Sequence, residues 1–190
     1  MIFRNLYNDL NMVNKQEIAA YFQSLQDRIC LAISKADGRA DFQEDGWEHK
    51  SGGGGRTRLI QQGGIIEKGG VNFSAGSGSP HPRLRQQLSL NDDQDVGFFA
   101  TGVSIVMHPH SPNVPIIHMN VRYFELDNGS CWFGGGIDLT PHYVVPEDAL
   151  FFHAALRKVC EQAHPAFYDR FKSWADDYFF LPHRNETRGV

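Results

Sequence analysis

The sequence predicts an α+β protein, and three observations carry that reading. A helical apolar period opens the chain, a glycine-punctuated run of short alternating segments fills its middle, and a helical period returns after Pro146. Segregated runs of helix, strand and helix make an α+β fold rather than repeated α/β units.

The 190 residues suit one core, so residues 1–190 are expected to form a single domain. With 41% apolar and 21% charged residues, the chain is globular rather than disordered. A net charge of −4 argues against a general nucleic-acid binder, so an anionic ligand needs a local cluster of arginines. No run reaches the ~18 apolar residues of a membrane span. The opening MIFRNLYNDLNMV lacks the pattern of a leader, and the expected address is the cytoplasm. Cys30, Cys131 and Cys160 are odd in number and widely spaced, which suits reduced packing residues.

Residues 14–34 read as a helix. Asn14 caps it, Glu17 sits three positions on, and Ile18, Phe22, Leu25, Ile29 and Ala32 keep helical spacing up to Gly38. Residues 56–60 and 65–67 then flank Gln61-Gln62-Gly63-Gly64 as a hairpin, with the glycines supplying positive φ. Residues 76–95 are polar and rich in Gly and Pro, the composition of a long surface loop. Residues 101–107 form a strand with Val103, Ile105 and Met107 on one face and Ser104, Val106 and His108 on the other. After a turn over 109–115, residues 116–124 make a second strand. Asn128-Gly129 turns the chain into Trp132-Phe133 and three glycines. Such a meander is antiparallel. Residues 147–163 and 166–180 are helices, the second striped by Phe167, Phe171, Trp174 and Tyr178.

Strand alternation puts His118, Asn120 and Arg122 on one face. Polar groups buried there without partners would cost ~1–3 kcal/mol each, so they face water or a ligand. If 109–115 closes a hairpin, Ser104 and His108 join that face, and the Arg122 fork suits a carboxylate. Asp138 follows Gly134-Gly135-Gly136; it is either a turn or cap carboxylate or a ligand contact where the glycines allow close approach. Arg56 and Arg58 share a strand face and are either solvated or a second carboxylate anchor. His108, His118, His153 and His183 offer imidazoles for a metal, but no pair has zincin-type spacing.

The segments Trp47 with GGGGRTRLI, EKGGVNFS, ATGVSIVMHP, IIHMNVRYFE, WFGGGIDLTP, FFH and DDYFFLPHRNETRG together resemble the signature segments of the oxygen-dependent coproporphyrinogen III oxidases, in that family's order. The resemblance implies a flat antiparallel sheet flanked by α-helices on both sides, and a homodimer. It implies conversion of coproporphyrinogen III and O2 to protoporphyrinogen IX in haem biosynthesis, with no organic cofactor. On the motif matches, Ser104, Asn120, Val121 and Arg122 contact substrate, with Arg122 on a propionate. His118 is then the proton donor and Asp138 the acceptor of pyrrole N–H groups. His108, His118, His153 and His183 match positions sometimes assigned to a divalent cation. The family continues past the point where this chain stops, so a form truncated at its C-terminus is expected. The competing readings are a metal-dependent oxygenase and a catalytically incompetent fragment or tetrapyrrole-binding module.

Overall fold

The computed structural model describes residues 14–50, 52–91 and 96–189. The opening segment read for a leader, and residues 92–95 of the expected loop, lie outside them. The fold is α+β. A six-stranded antiparallel sheet has the order β1 (Gln43–Glu48), β2 (Gly54–Gln61), β3 (Ile66–Gly78), β4 (Phe98–Pro109), β5 (Ile116–Leu126), β6 (Cys131–Thr140). Helices α1 (Lys15–Asp37), α2 (Pro82–Leu88), α3 (Pro146–Ala163) and α4 (Phe167–Phe179) accompany it, with a two-stranded ribbon of β7 (Phe180–Leu181) and β8 (Glu186–Thr187). The chain divides into two compact units, Met1–His108 with His118–Ile137, and Pro109–Ile117 with Asp138–Val190.

In the first unit α1 begins at the expected cap, where the Asn14 side chain accepts from the Gln16 N–H at 2.9 Å. It ends at Gly38 with φ 70°, the left-handed turn that glycine adopts without a Cβ penalty. Its buried stripe is Ile18, Phe22, Gln26, Cys30 and Asp37, not Ile18, Phe22, Leu25, Ile29 and Ala32. The stripe rotated because two of the positions facing the sheet are polar, and apolar spacing alone does not register them. Gln26 is fully buried. Its amide donates to the carbonyls of Arg56 and Val71, both at 2.7 Å, and its oxygen accepts from Arg56 Nε at 2.7 Å.

Asp37 ties the end of α1 to the β2–β3 hairpin. Its carboxylate accepts backbone N–H groups of Ala40 at 3.0 Å and of Gly64, Ile65 and Ile66 at 2.8 Å each. The Ile66 N–H contributes most to holding this carboxyl far below the usual carboxylate range, against the opposing effect of burial. The hairpin turns where expected, but the residue with positive φ is Gln62 at 53°, not either glycine. Gly63 serves another need: a Cβ there would stand 2.3 Å from Asp37 Oδ1.

Strand β1 has no apolar alternation and escapes the sequence reading. Every residue of it is exposed, as suits a charged edge that resists pairing with other chains. The expected loop over 76–95 is also corrected. β3 runs on to Gly78, and α2 follows with Pro82 in its first turn and the His81 ring accepting from the Leu84 N–H at 3.3 Å. Leu88 then reaches Val96, Leu126 and Trp132, with Leu84, Phe98 and Phe124 packed around them. These sheet residues alternate with Val103, Ile105, Met107 and Tyr123, which are buried on the other side. Thus α1 covers one face of the sheet and α2 one end of the opposite face.

In the second unit α3 and α4 pack together. The Arg157 guanidinium lies 4.0 Å from the Tyr168 ring centre, and its other nitrogen pairs with Asp169 at 3.1 Å. The expected stripe on α4 is half realised. Phe167 and Phe171 stand 5.0 Å apart, but Trp174 and Tyr178 are 43% and 77% exposed, while Tyr168 is buried. Period sets which residues share a face; what covers the face is a tertiary matter.

Asp37→Asn is expected to lower the melting temperature at neutral pH by more than about 5 °C. Because the folded pKa is depressed, the stabilisation is present above the unfolded carboxyl value and is lost as pH falls through the folded one. Thermal melts of both proteins from pH 7 downward should therefore converge in acid, and parallel curves would contradict this role.

Candidate functional site

Strands β4 and β5 build the candidate site in the first unit. On β4, Thr101, Val103, Ile105 and Met107 are buried, while Ser104 and His108 are half-buried and Val106 is exposed, as alternation predicts. On β5, Tyr123 is buried, His118 and Asn120 are half-buried, and Arg122 is exposed. The His108 and His118 rings meet edge to face, with centroids 6.1 Å apart and planes at 84°. The two strands therefore bring these imidazoles together, with Ser104, Asn120 and Arg122 on their side.

Gly102 makes this apposition tight. A Cβ there would lie 2.4 Å from the Val121 carbonyl oxygen and 3.1 Å from Arg122 Cα and Cγ. Val121 thus meets β4 through its backbone, and the Arg122 stem lies across the glycine. Gly135 on β6 makes the same approach to the Asn120 carbonyl, at 2.4 Å. Gly102 was not singled out from the sequence, although a glycine inside an otherwise apolar strand is a signal of close backbone approach.

Electrostatics separate the arginines. Arg56 reaches Asp27 at 2.6 Å, and Arg58 reaches Asp27 and Glu44 at 2.7 Å each. Both expected roles, solvated cation or ligand anchor, give way to an ion-pair network between α1, β1 and β2. Burial of Cys30 beside this network pushes its thiol up, while the Arg58 guanidinium pulls the other way. Arg122 enters no ion pair among the described residues.

In the second unit Asp138 lies within β6 and is buried, accepting from Thr140 Oγ1 at 2.8 Å. It is neither a turn residue nor a cap, because the three glycines before it continue the strand. Gly189, at φ 77°, passes beside it, and a Cβ there would be 3.3 Å from Asp138 Cβ. His153 is half-buried on α3 and shares a hydrogen bond of 3.0 Å between its Nδ1 and the Tyr168 hydroxyl. Burial, then Lys172, lowers its pKa, while Asp176 opposes. His183 is exposed in the turn between β7 and β8. Among the described residues no group of three or more His, Cys, Asp or Glu side chains is arranged to hold a metal ion.

Comparison with known proteins adds a family. Residues 17–190 match the family described as coproporphyrinogen III oxidase. The chain is 46% identical over 173 residues to the oxygen-dependent coproporphyrinogen-III oxidase of Parasynechococcus marenigrum (strain WH8102). That match covers 90% of this chain and 47% of the relative, so the chain spans about half the relative's length.

Two substitutions separate a cation held in ion pairs from one that is exposed and outside them. Arg58→Ala leaves Asp27 and Glu44 with fewer partners and is expected to destabilise by about 1 kcal/mol, the upper end for partly solvated ion pairs. Arg122→Ala, on an exposed and unpaired side chain, should stay within about 0.5 kcal/mol of the wild type. Urea denaturation reads both, and equal losses would assign Arg122 to the fold.

Proposed function

The chain belongs to the coproporphyrinogen III oxidase family, and on that premise we propose that it carries out the oxygen-dependent decarboxylation of two propionates of coproporphyrinogen III. Each turn takes one propionate, one proton and one O2 to a vinyl group, CO2 and hydrogen peroxide. The side chain loses its carboxylate and one β-hydrogen, and two electrons pass to oxygen. Protoporphyrinogen IX, the haem precursor, is the product of two turns. The electrons come from the reduced substrate itself, so no flavin or haem is called for.

The observation that carries this reading is Arg122, an exposed guanidinium on the side of β5 where His118 meets His108. In a chain of net charge −4, such a local cation selects a carboxylate by geometry, through two parallel N–H···O bonds. Ser104, Asn120 and the backbone of Val121 line the same strand pair and position the ring. His118 supplies the one proton consumed in each turn, which leaves with the β-hydrogen in hydrogen peroxide. Asp138, an acceptor when ionised, is suited to pyrrole N–H groups, which only donate. The working form is a cytoplasmic homodimer in this reading. No helix among the described residues is long and apolar enough to cross a membrane.

No step is routed through a metal. Exhaustive chelation of the full-length protein is expected to leave turnover intact. Activity lost to chelation and restored by one divalent ion would favour the metal-dependent oxygenase.

Asp138→Asn tests the centre of the proposal in the full-length protein. Charge-assisted hydrogen bonds contribute about 1.5–3 kcal/mol each, so losing two lowers kcat/KM more than about a hundredfold. The melting temperature should be nearly unchanged. A variant that melts early and turns over normally would return Asp138 to a purely structural role.

A further inference from the structure

The side of the sheet that carries Ser104, Asn120 and Arg122 continues to the β1 edge. In the β1–β2 and β2–β3 ladders Trp47 is opposite Gly55 and Gly55 opposite Ser74, while Thr57 is opposite Asn72. Arg56 and Arg58 turn toward α1, so Gly55 and Thr57 face the other way. β4 joins in step. A Cβ on Gly69 would meet Met107 Sδ on the α1 side, and Thr101 Oγ1 donates to the Ser74 carbonyl at 2.9 Å. A Cβ on Gly102 would meet the Val121 carbonyl oxygen and Arg122 Cα at 2.4 and 3.1 Å, as one on Gly54 would meet the Trp47 carbonyl oxygen and Glu48 Cα at 2.4 and 3.4 Å. The second pair is in known register, which places Gly102 opposite Arg122 by the same geometry.

Two rows of residues therefore cross the sheet on one side. One runs Trp47, Gly55, Ser74, Gly102, Arg122. The other runs Thr57, Asn72, Ser104, Asn120. The first row has an almost bare floor, two glycines and a serine, with an aromatic ring at one end and a guanidinium at the other. Four strand spacings of about 4.8 Å make it roughly 19 Å from β1 to β5. A Cβ on Gly55 would lie 2.3 Å from Trp47 Cζ2, so the indole rests directly on the glycine. Yet Trp47 stays 42% exposed, the sole aromatic of a strand whose other residues are polar or glycine. Asn72 is exposed in the second row.

We propose that Trp47 and Asn72 are ligand-contacting residues that extend the tetrapyrrole site across the sheet. The Trp47 indole stacks on a pyrrole at the end of the ligand away from Arg122, and the Asn72 carboxamide, beside Ser104, hydrogen-bonds a propionate. A wide anionic ring of linked pyrroles is the ligand class that a glycine floor, an aromatic end wall and a cationic end wall accommodate together. The proposal rests on the functional reading above, and its test keeps the two apart.

Coproporphyrin III, the oxidised and coloured form of the substrate, is titrated into the full-length protein and followed by its Soret band. Absence of binding by the wild type, or unchanged affinity in Arg122→Ala, overturns the functional reading. With that reading standing, Trp47→Ala and Asn72→Ala are each expected to raise Kd about tenfold at unchanged melting temperature. Trp47→Phe, which keeps a stacking face, should recover most of the affinity. In turnover the same variants should raise KM and leave kcat near the wild type. Kd values within about twofold of the wild type in both alanine variants would overturn the inference alone. So would a Trp47→Ala defect that appears as a change of sedimenting mass and vanishes at high protein concentration, which assigns the ring to a contact between copies.

Discussion

Arg56 and Arg58 are drawn to one side of the sheet by Asp27, Glu44 and Gln26, and that pull decides what the other side presents. Side chains alternate strictly along a strand, so a slip of one residue would exchange the two faces. With the arginines committed to α1, β2 turns Gly55, Thr57 and Leu59 outward, and the pairing of β2 with β3 carries the same choice to Asn72 and Ser74. The bare side of the sheet is thus a consequence of a filled one.

The filled side is held by polar groups more than its position suggests. A buried amide or carboxylate stabilises only when its partners are present, since an unsatisfied group costs about as much as several good contacts return. Gln26 meets that condition with three bonds to β2 and β3. Asp37 meets it with four backbone donors at the hairpin. The ion pairs of Arg56 and Arg58 are partly solvated, with the carboxylates about half exposed, so their contribution is orientation more than energy. These interactions explain how a small sheet with a charged edge strand keeps one register.

On the opposite side the chemistry is sparse and local. Imidazoles of β4 and β5 meet on this side, and Gly102 leaves the polar row without side-chain bulk beside Arg122. Removing side-chain bulk from a sheet face costs packing, which a core would not tolerate. A ligand-bearing face tolerates it because the ligand supplies the missing surface. The chain belongs to the coproporphyrinogen III oxidase family, and on this face Arg122 is an exposed cation.

Much of this was legible in the sequence. Alternation in β4 and β5, the Asn14 cap, the Asn128-Gly129 turn and the helical period after Pro146 are local signals, and local physics reads them. The resemblance carried by the quoted segments named the family. What escaped was whatever depends on a partner distant in the chain. β1 has no apolar period and exists because β2 offers it a ladder. α2 hides in a loop-like composition and is held by Leu88 against Trp132. Arg58 reads as a free cation until Asp27 and Glu44 are seen beside it. Asp138 reads as a corner until its glycines prove to be strand. The sequence by itself determined which residues share a face; the tertiary structure decided which face is covered, because burial is a property of pairs of elements and period is a property of one.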